Sequence, residues 1–131
     1  MNQAVVFEKA KFWRDQDILF ITFHNRDICH TMPLAAMERY VDTIHALCEN
    51  KPTPFLIDVT DAIGSYSIAA AKYFAKCKKL EKIRVAEAFV ANRIGSKLTI
   101  RSFKRIYDSK TPYKICSTRE EALEYCNEFV K

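Results

Sequence analysis

Strand-like and helix-like patterns alternate along this chain, which predicts an α/β fold built on a largely parallel sheet. Two observations carry that prediction. Two runs rich in β-branched and aromatic residues open the chain around a short polar turn, and further short apolar runs then recur between amphipathic stretches. In order, the elements are β-β-α-β-α-β-α-β-α. The crossovers between parallel strands are expected to be right-handed, with the leading hairpin adding one antiparallel strand.

Val5 to Arg14 and Ile18 to His24 form the two opening strands, and Asp15-Gln16-Asp17 between them predicts a hairpin turn. A helix follows. Thr31 or a neighbour is placed to cap it, Pro33 suits its first turn, and Met37, Tyr40, Val41, Ile44, Leu47 and Cys48 recur at helical spacing. Asn50-Lys51-Pro52-Thr53-Pro54 ends it. Phe55 to Val59 is an apolar run of the kind found in a strand covered on both faces, interrupted only by Asp58. A second helix spans about Ser67 to Leu80, with Ala70, Phe74 and Cys77 inward. Val85 to Ala91 is a strand, Asn92 to Tyr107 a third helix and Tyr113 to Cys116 a short strand. Thr118 to Val130 is the fourth helix, with a stripe at Ala122, Leu123, Cys126, Phe129 and Val130. It opens on Thr118-Arg119-Glu120-Glu121, a capping box. Because a helix must cross back over the sheet between them, the strands Phe55 to Val59 and Val85 to Ala91 should lie side by side and parallel.

At 131 residues with 49% apolar content, the chain fits one domain, residues 1–131, with a single core. It has no repeat, low-complexity tract or linker. The start MNQAVVFEKAKFWRD lacks a basic, unbroken apolar leader, and no stretch approaches the ~18 apolar residues of a membrane span, so a cytoplasmic protein is expected. Five scattered cysteines, odd in number and without a C-x-x-C pair, argue for reduced thiols.

The stretch DVTDAIGSYSIAAA, residues 58 to 71, joins the central apolar run to the second helix. Ser67 is placed to cap that helix, while Gly64 and Ser65 make the turn. A phosphate on Ser67 would also face the unpaired N–H groups and positive end of the helix, so a phosphorylation switch is the second reading. A nucleotide loop is disfavoured, because the glycine spacing and lysine of a Walker sequence are absent. Asp58 and Asp61 are turn or cap residues on one reading and a shared metal or proton site on the other.

With this element order, and with LIDVTDAIGSYS entering the second helix, the chain resembles a STAS domain, the SpoIIAA-like fold of anti-sigma factor antagonists. The stretches PFLIDVTDAIGSYS, VAEAFVANRIG and TPYKICSTREEALEYC are more closely similar to a bacterial family described as STAS-like or CRAL-TRIO-like, the latter a lipid-transfer fold. In anti-sigma factor antagonists the corresponding loop carries Asp-Ser-Ser-Gly, with a serine at the helix start phosphorylated by a partner kinase. That resemblance implies Ser67, and secondarily Ser65, as phosphoacceptor. The acid before it and the glycine after it are missing here.

Other candidates for chemistry are sparse. His24, Cys29 and His30 lie close in sequence but lack a fourth ligand and a paired zinc spacing, so no metal is expected. No histidine stands beside a serine or cysteine in a catalytic signature; no catalytic residue and no cofactor are assigned. Glu87, inside the strand VAEAFVA, must reach solvent or pair with a base.

Charge is unevenly distributed. Between Lys72 and Arg105 there are eleven basic residues and two acids, net +9, which leaves −4 for the rest. On the third helix Arg93, Lys97, Arg101, Lys104 and Arg105 fall within about a third of the circumference, opposite an apolar arc with Leu98, Phe103, Ile106 and Tyr107. A solvated helix face is the plain reading; a patch for an anionic partner is the sharper one. Nucleic acid is disfavoured, since no aromatics are interleaved for base stacking. The acidic fourth helix, with Glu120, Glu121, Glu124 and Glu128, is suited to the patch of another copy, a route to a homodimer. The reading preferred from sequence is a non-enzymatic regulatory or protein-interaction module, switched at the loop 61–67. The alternatives are a binder of a small apolar or lipid-like ligand, suggested by Phe12, Trp13, Tyr66 and Phe89, and an enzyme using Asp58, Asp61 and Ser67.

Overall fold

The computed structural model describes residues 3–130. Its opening strands are β1 (Val5–Val6), β2 (Ala10–Asp15) and β3 (Ile18–Asn25). The reversal between β2 and β3 needs only Gln16 and Asp17. Both are left-handed, at φ 50° and 65°, the geometry of a two-residue turn whose twist matches the strands it joins. Two further residues, Thr31–Met32, form β4 before α1 (Leu34–Cys48).

Thr31 does not cap that helix. It pairs in parallel with Ser65, and Pro33 occupies the cap position with no side-chain bond. The helix ends at Glu49 and Asn50, both left-handed, which turn the chain without a glycine. The strand β5 (Thr53–Ala62) then runs through the sheet centre, longer than its apolar run alone, since Thr53 and Pro54 join it at one end and Thr60 to Ala62 at the other. The strand β6 (Ser65–Tyr66) completes a two-stranded ribbon with β4.

The second helical stretch is broken in two, α2 (Ile68–Lys76) and α3 (Lys78–Glu81), with Cys77 extended between them. The break has a visible cause: Arg84 donates to the carbonyls of Phe74 and Ala75, taking over acceptors that would end the helix. There follow β7 (Arg84–Val90), α4 (Ile94–Tyr107), β8 (Tyr113–Cys116) and α5 (Arg119–Asn127). Thr118 accepts from the Glu121 N–H as a capping residue should, and the Glu121 carboxylate reaches back to the N–H of Ser117, one residue earlier than the motif requires.

The main sheet has the order β1-β2-β3-β5-β7-β8. β1, β2 and β3 pair antiparallel; β3, β5, β7 and β8 pair parallel. β5 and β7 are therefore adjacent and parallel, as the crossover argument predicts. Side chains alternate between two cores. Leu19, Ile21, Phe55, Ile57 and Phe89 pack toward α1, α2 and α4, whereas Ile18, Leu56, Ala88 and Val90 pack toward α5 with Ala122 and Cys126. Burial pushes the Cys48 thiol up to about 11 and that of Cys126 up to about 12, so both serve as small hydrophobes.

Candidate functional site

The loop after β5 is tied down at almost every step. Ile63 donates to Asn25 O, Ser65 to His30 O and Ser67 to Met32 O, while the Asn25 amide bonds back to Ile63 O. Gly64 makes the turn at φ 101°, a conformation open essentially to glycine alone. A Cβ there would also stand 2.8 Å from His30 O. Ser65 lies exposed, its hydroxyl 3.2 Å from that of Thr31. Ser67 is half-buried at the start of α2, and its Oγ accepts from the Ala70 N–H at 3.0 Å.

Asp58 and Asp61 serve different neighbours. Asp58 is buried; one carboxylate oxygen accepts from the Thr60 N–H and hydroxyl, and the other from Arg119 Nε at 3.0 Å. Arg119 also bonds Thr22 and lies over the Trp13 ring, which stacks on Phe20. The pair thus fastens the first turn of α5 to the sheet. Asp61 is exposed and pairs with Arg26 at 3.0 Å. Among the described residues no group of three or more His, Cys, Asp or Glu is gathered for a metal ion.

The basic face of α4 differs from the helical wheel: Lys104 turns inward, while Leu98 and Ile106 of the opposite arc turn outward. Lys104 does not belong to the outward patch; it is 2% exposed and donates to Glu87, itself fully buried, and to Asp108 at 2.9 Å. Arg84 approaches Glu87 from the other side at 3.8 Å. An inward carboxylate on β7 therefore turns the helix so that Lys104 faces the sheet and Leu98 and Ile106 face solvent. Burial raises the Glu87 pKa against the pull of Lys104 and Arg84. At Asp108 burial is outweighed by hydrogen bonds from Lys104 and Thr111, and the carboxyl is held down at about 2. The outer surface of α4 then presents Arg101 and Arg105 beside Ile94, 78% exposed, and Leu98, 56% exposed, with Lys97 on its flank and no acid anywhere on the helix. Arg93, just before the helix, donates to Ala62 O at 3.5 Å, and Tyr66 meets Phe103 edge-on at 5.8 Å between centroids. The loop 61–67 and α4 are one continuous surface.

Behind that surface lies a cavity of about 540 Å³. Its floor is the sheet at Phe12, Ile21, Ile57 and Phe89; Met37 and Tyr40 of α1, Phe74 of α2 and Ile100 of α4 wall it. It reaches the loop 61–67 at Ala62 to Tyr66 and ends on Lys9, Asn25, His30 and Arg93. Nothing in periodicity marks these residues apart from core.

Element order, sheet order and the loop at the carboxyl end of β5 define an α/β domain of SpoIIAA-like type. A solved structure supports this: a DUF3478 family protein with a SpoIIAA-like fold from Shewanella loihica PV-4 aligns at TM-score 0.61 and 18% identity, over 96% of this chain and 95% of that one. The chain belongs to the DUF7793 family, a domain of unknown function, which matches residues 12–130. Among curated proteins none matches it significantly. Among the described residues no helix is long and apolar enough to cross a membrane.

Proposed function

We propose that the domain is a non-enzymatic regulatory module that binds an acidic protein partner through the face shared by the loop 61–67 and α4. The observation that carries this is the outer side of α4, where three exposed apolar side chains, Ile94, Leu98 and Ile106, stand among arginines without a single acid. Apolar groups set beside arginine are the composition that protein interfaces favour. A membrane-lying helix needs a broad continuous apolar face, whereas Ile94, Leu98 and Ile106 are interrupted by the exposed Arg101 and Arg105. The separate commitments of Asp58 and Asp61 weigh against the enzyme reading, since neither carboxylate is placed to work with the other.

The switch belongs to the same proposal. Phosphate on Ser67 would add negative charge at the N-terminus of α2, on a loop that touches α4, and would weaken the hold on an acidic partner. The test is affinity capture from native cells with the tagged full chain, its Arg101→Glu/Arg105→Glu variant and a Lys51→Glu control, after nuclease treatment. A protein retained by the wild type and the control but lost by the double variant is the expected result. Identical capture by all three overturns the reading.

A further inference from the structure

The carboxyl edge of the parallel strands carries two cations that no carboxylate of the described residues balances. Lys9 is half-buried, and its ammonium has one neutral partner, Asn25 Oδ1 at 3.1 Å. Among the described residues Arg93 reaches only a backbone carbonyl, that of Ala62. Asn25 and Ala62 are themselves paired across β3 and β5, so the two cations reach the same edge of the sheet, Lys9 from beside β2 and Arg93 from beside β7. Both line the mouth of the 540 Å³ cavity, whose boundary holds no aspartate or glutamate among the described residues. The interior behind them is apolar and aromatic.

An apolar chamber of this size falls within the ~300–1,000 Å³ that accommodates a small organic ligand, and in open α/β sheets such ligands enter at the carboxyl ends of the strands. Water filling it would find few partners along Phe12, Ile57, Phe89 and Ile100. A neutral ligand would leave the two cations unused. An anion without an apolar body would leave the chamber unfilled. We propose that the cavity binds a small amphipathic acid, its chain or ring in the chamber and its anionic group, carboxylate or phosphate, held at the mouth by Lys9 and Arg93.

This inference stands apart from the protein-partner reading, since the cavity opens on α4 but none of its ligand contacts requires Arg101 or Arg105. Calorimetric titration of the full chain with dodecanoate, dodecyl phosphate and dodecanol tests it. One equivalent of either anion should bind at least tenfold more tightly than the alcohol. The contrast between carboxylate and phosphate then identifies the headgroup. Lys9→Met/Arg93→Met should abolish the preference for the anions while leaving the alcohol's affinity within about twofold. Ala71→Phe, which fills the chamber, should remove binding of all three, and Thr99→Phe at the more exposed rim serves if the first variant fails to fold. No binding by the wild type, equal affinity for alcohol and acids, or an unchanged preference in the methionine variant each overturns the proposal.

Discussion

Gly64 sits at φ 101° with His30 O and the Asn25 amide within 3 Å of where a Cβ would stand, so backbone strain and steric overlap act together. Gly64→Ala should lose about 1–3 kcal/mol of stability in urea denaturation and loosen the loop 61–67, a change visible as faster amide exchange at Ser65 and Ser67. No loss would mean that the turn relaxes freely. Ser67, three residues on, allows a cleaner separation of its two roles. Ser67→Ala removes the bond to the Ala70 N–H and should cost about 1 kcal/mol, while Ser67→Asp, a good cap that also suits the helix dipole, should keep stability near wild type. If Ser67 is a phosphoacceptor, intact mass of protein from native cells will carry one phosphate that the alanine variant lacks. The cap was legible in the sequence, because a serine before an alanine-rich helix has a direct physical meaning. The partner of Asp58 was not: Arg119 lies 61 residues away, and only the crossing of the last helix over the sheet brings the two together.

At the scale of elements, the succession of strands and helices followed from periodicity and the adjacency of β5 and β7 from the crossover rule, while the break between α2 and α3 and the rotation of α4 did not. A helical wheel orders residues by hydropathy, and it put Lys104 outward because nothing within the helix itself says otherwise. The deciding residue is Glu87 on β7, whose need for a basic partner was evident although the identity of that partner was not. The two-residue strands β4 and β6 were likewise beyond periodicity, since a pattern needs more than two residues to show. The ion network makes a sharp expectation. Lys104→Met leaves Glu87 buried with only Arg84 at 3.8 Å and should cost about 3–5 kcal/mol. Glu87→Leu/Lys104→Met should be less damaging than that single change, because Arg84 keeps two carbonyl acceptors and Asp108 keeps backbone donors. Denaturant midpoints of both variants decide it. Asp108 adds a pH dependence. Its folded pKa of about 2 lies below the ordinary 3.8, so its contribution is present above pH 4 and is lost as pH falls toward 2. Asp108→Asn should remove about 2 kcal/mol at neutral pH, with the gap to wild type closing between pH 4 and 2.

For the molecule as a whole, burial of Arg84 and Lys104 within their ion network leaves nine surface bases in the basic segment, among them those of α2 and α4, while Glu120 and Glu124 of α5 and Glu128 at its end belong to the opposite face of the sheet. That separation bears on self-association. A closed two-fold dimer requires each copy to present both patches toward its partner at once, which favours patches that share one side of the molecule. Here the sheet stands between them, so pairing of α4 with the α5 of a second copy is a head-to-tail contact that leaves one free patch at each end. Such a contact does not stop at two copies. Sedimentation velocity at low ionic strength should therefore show average mass rising with concentration beyond that of a dimer, and the association should vanish near 0.15 M salt, where the ~8 Å screening length weakens surface attraction. Arg101→Glu/Arg105→Glu should suppress it at every concentration. A discrete dimer that persists at physiological salt in both proteins would show that another surface, not the charged faces of α4 and α5, joins the copies.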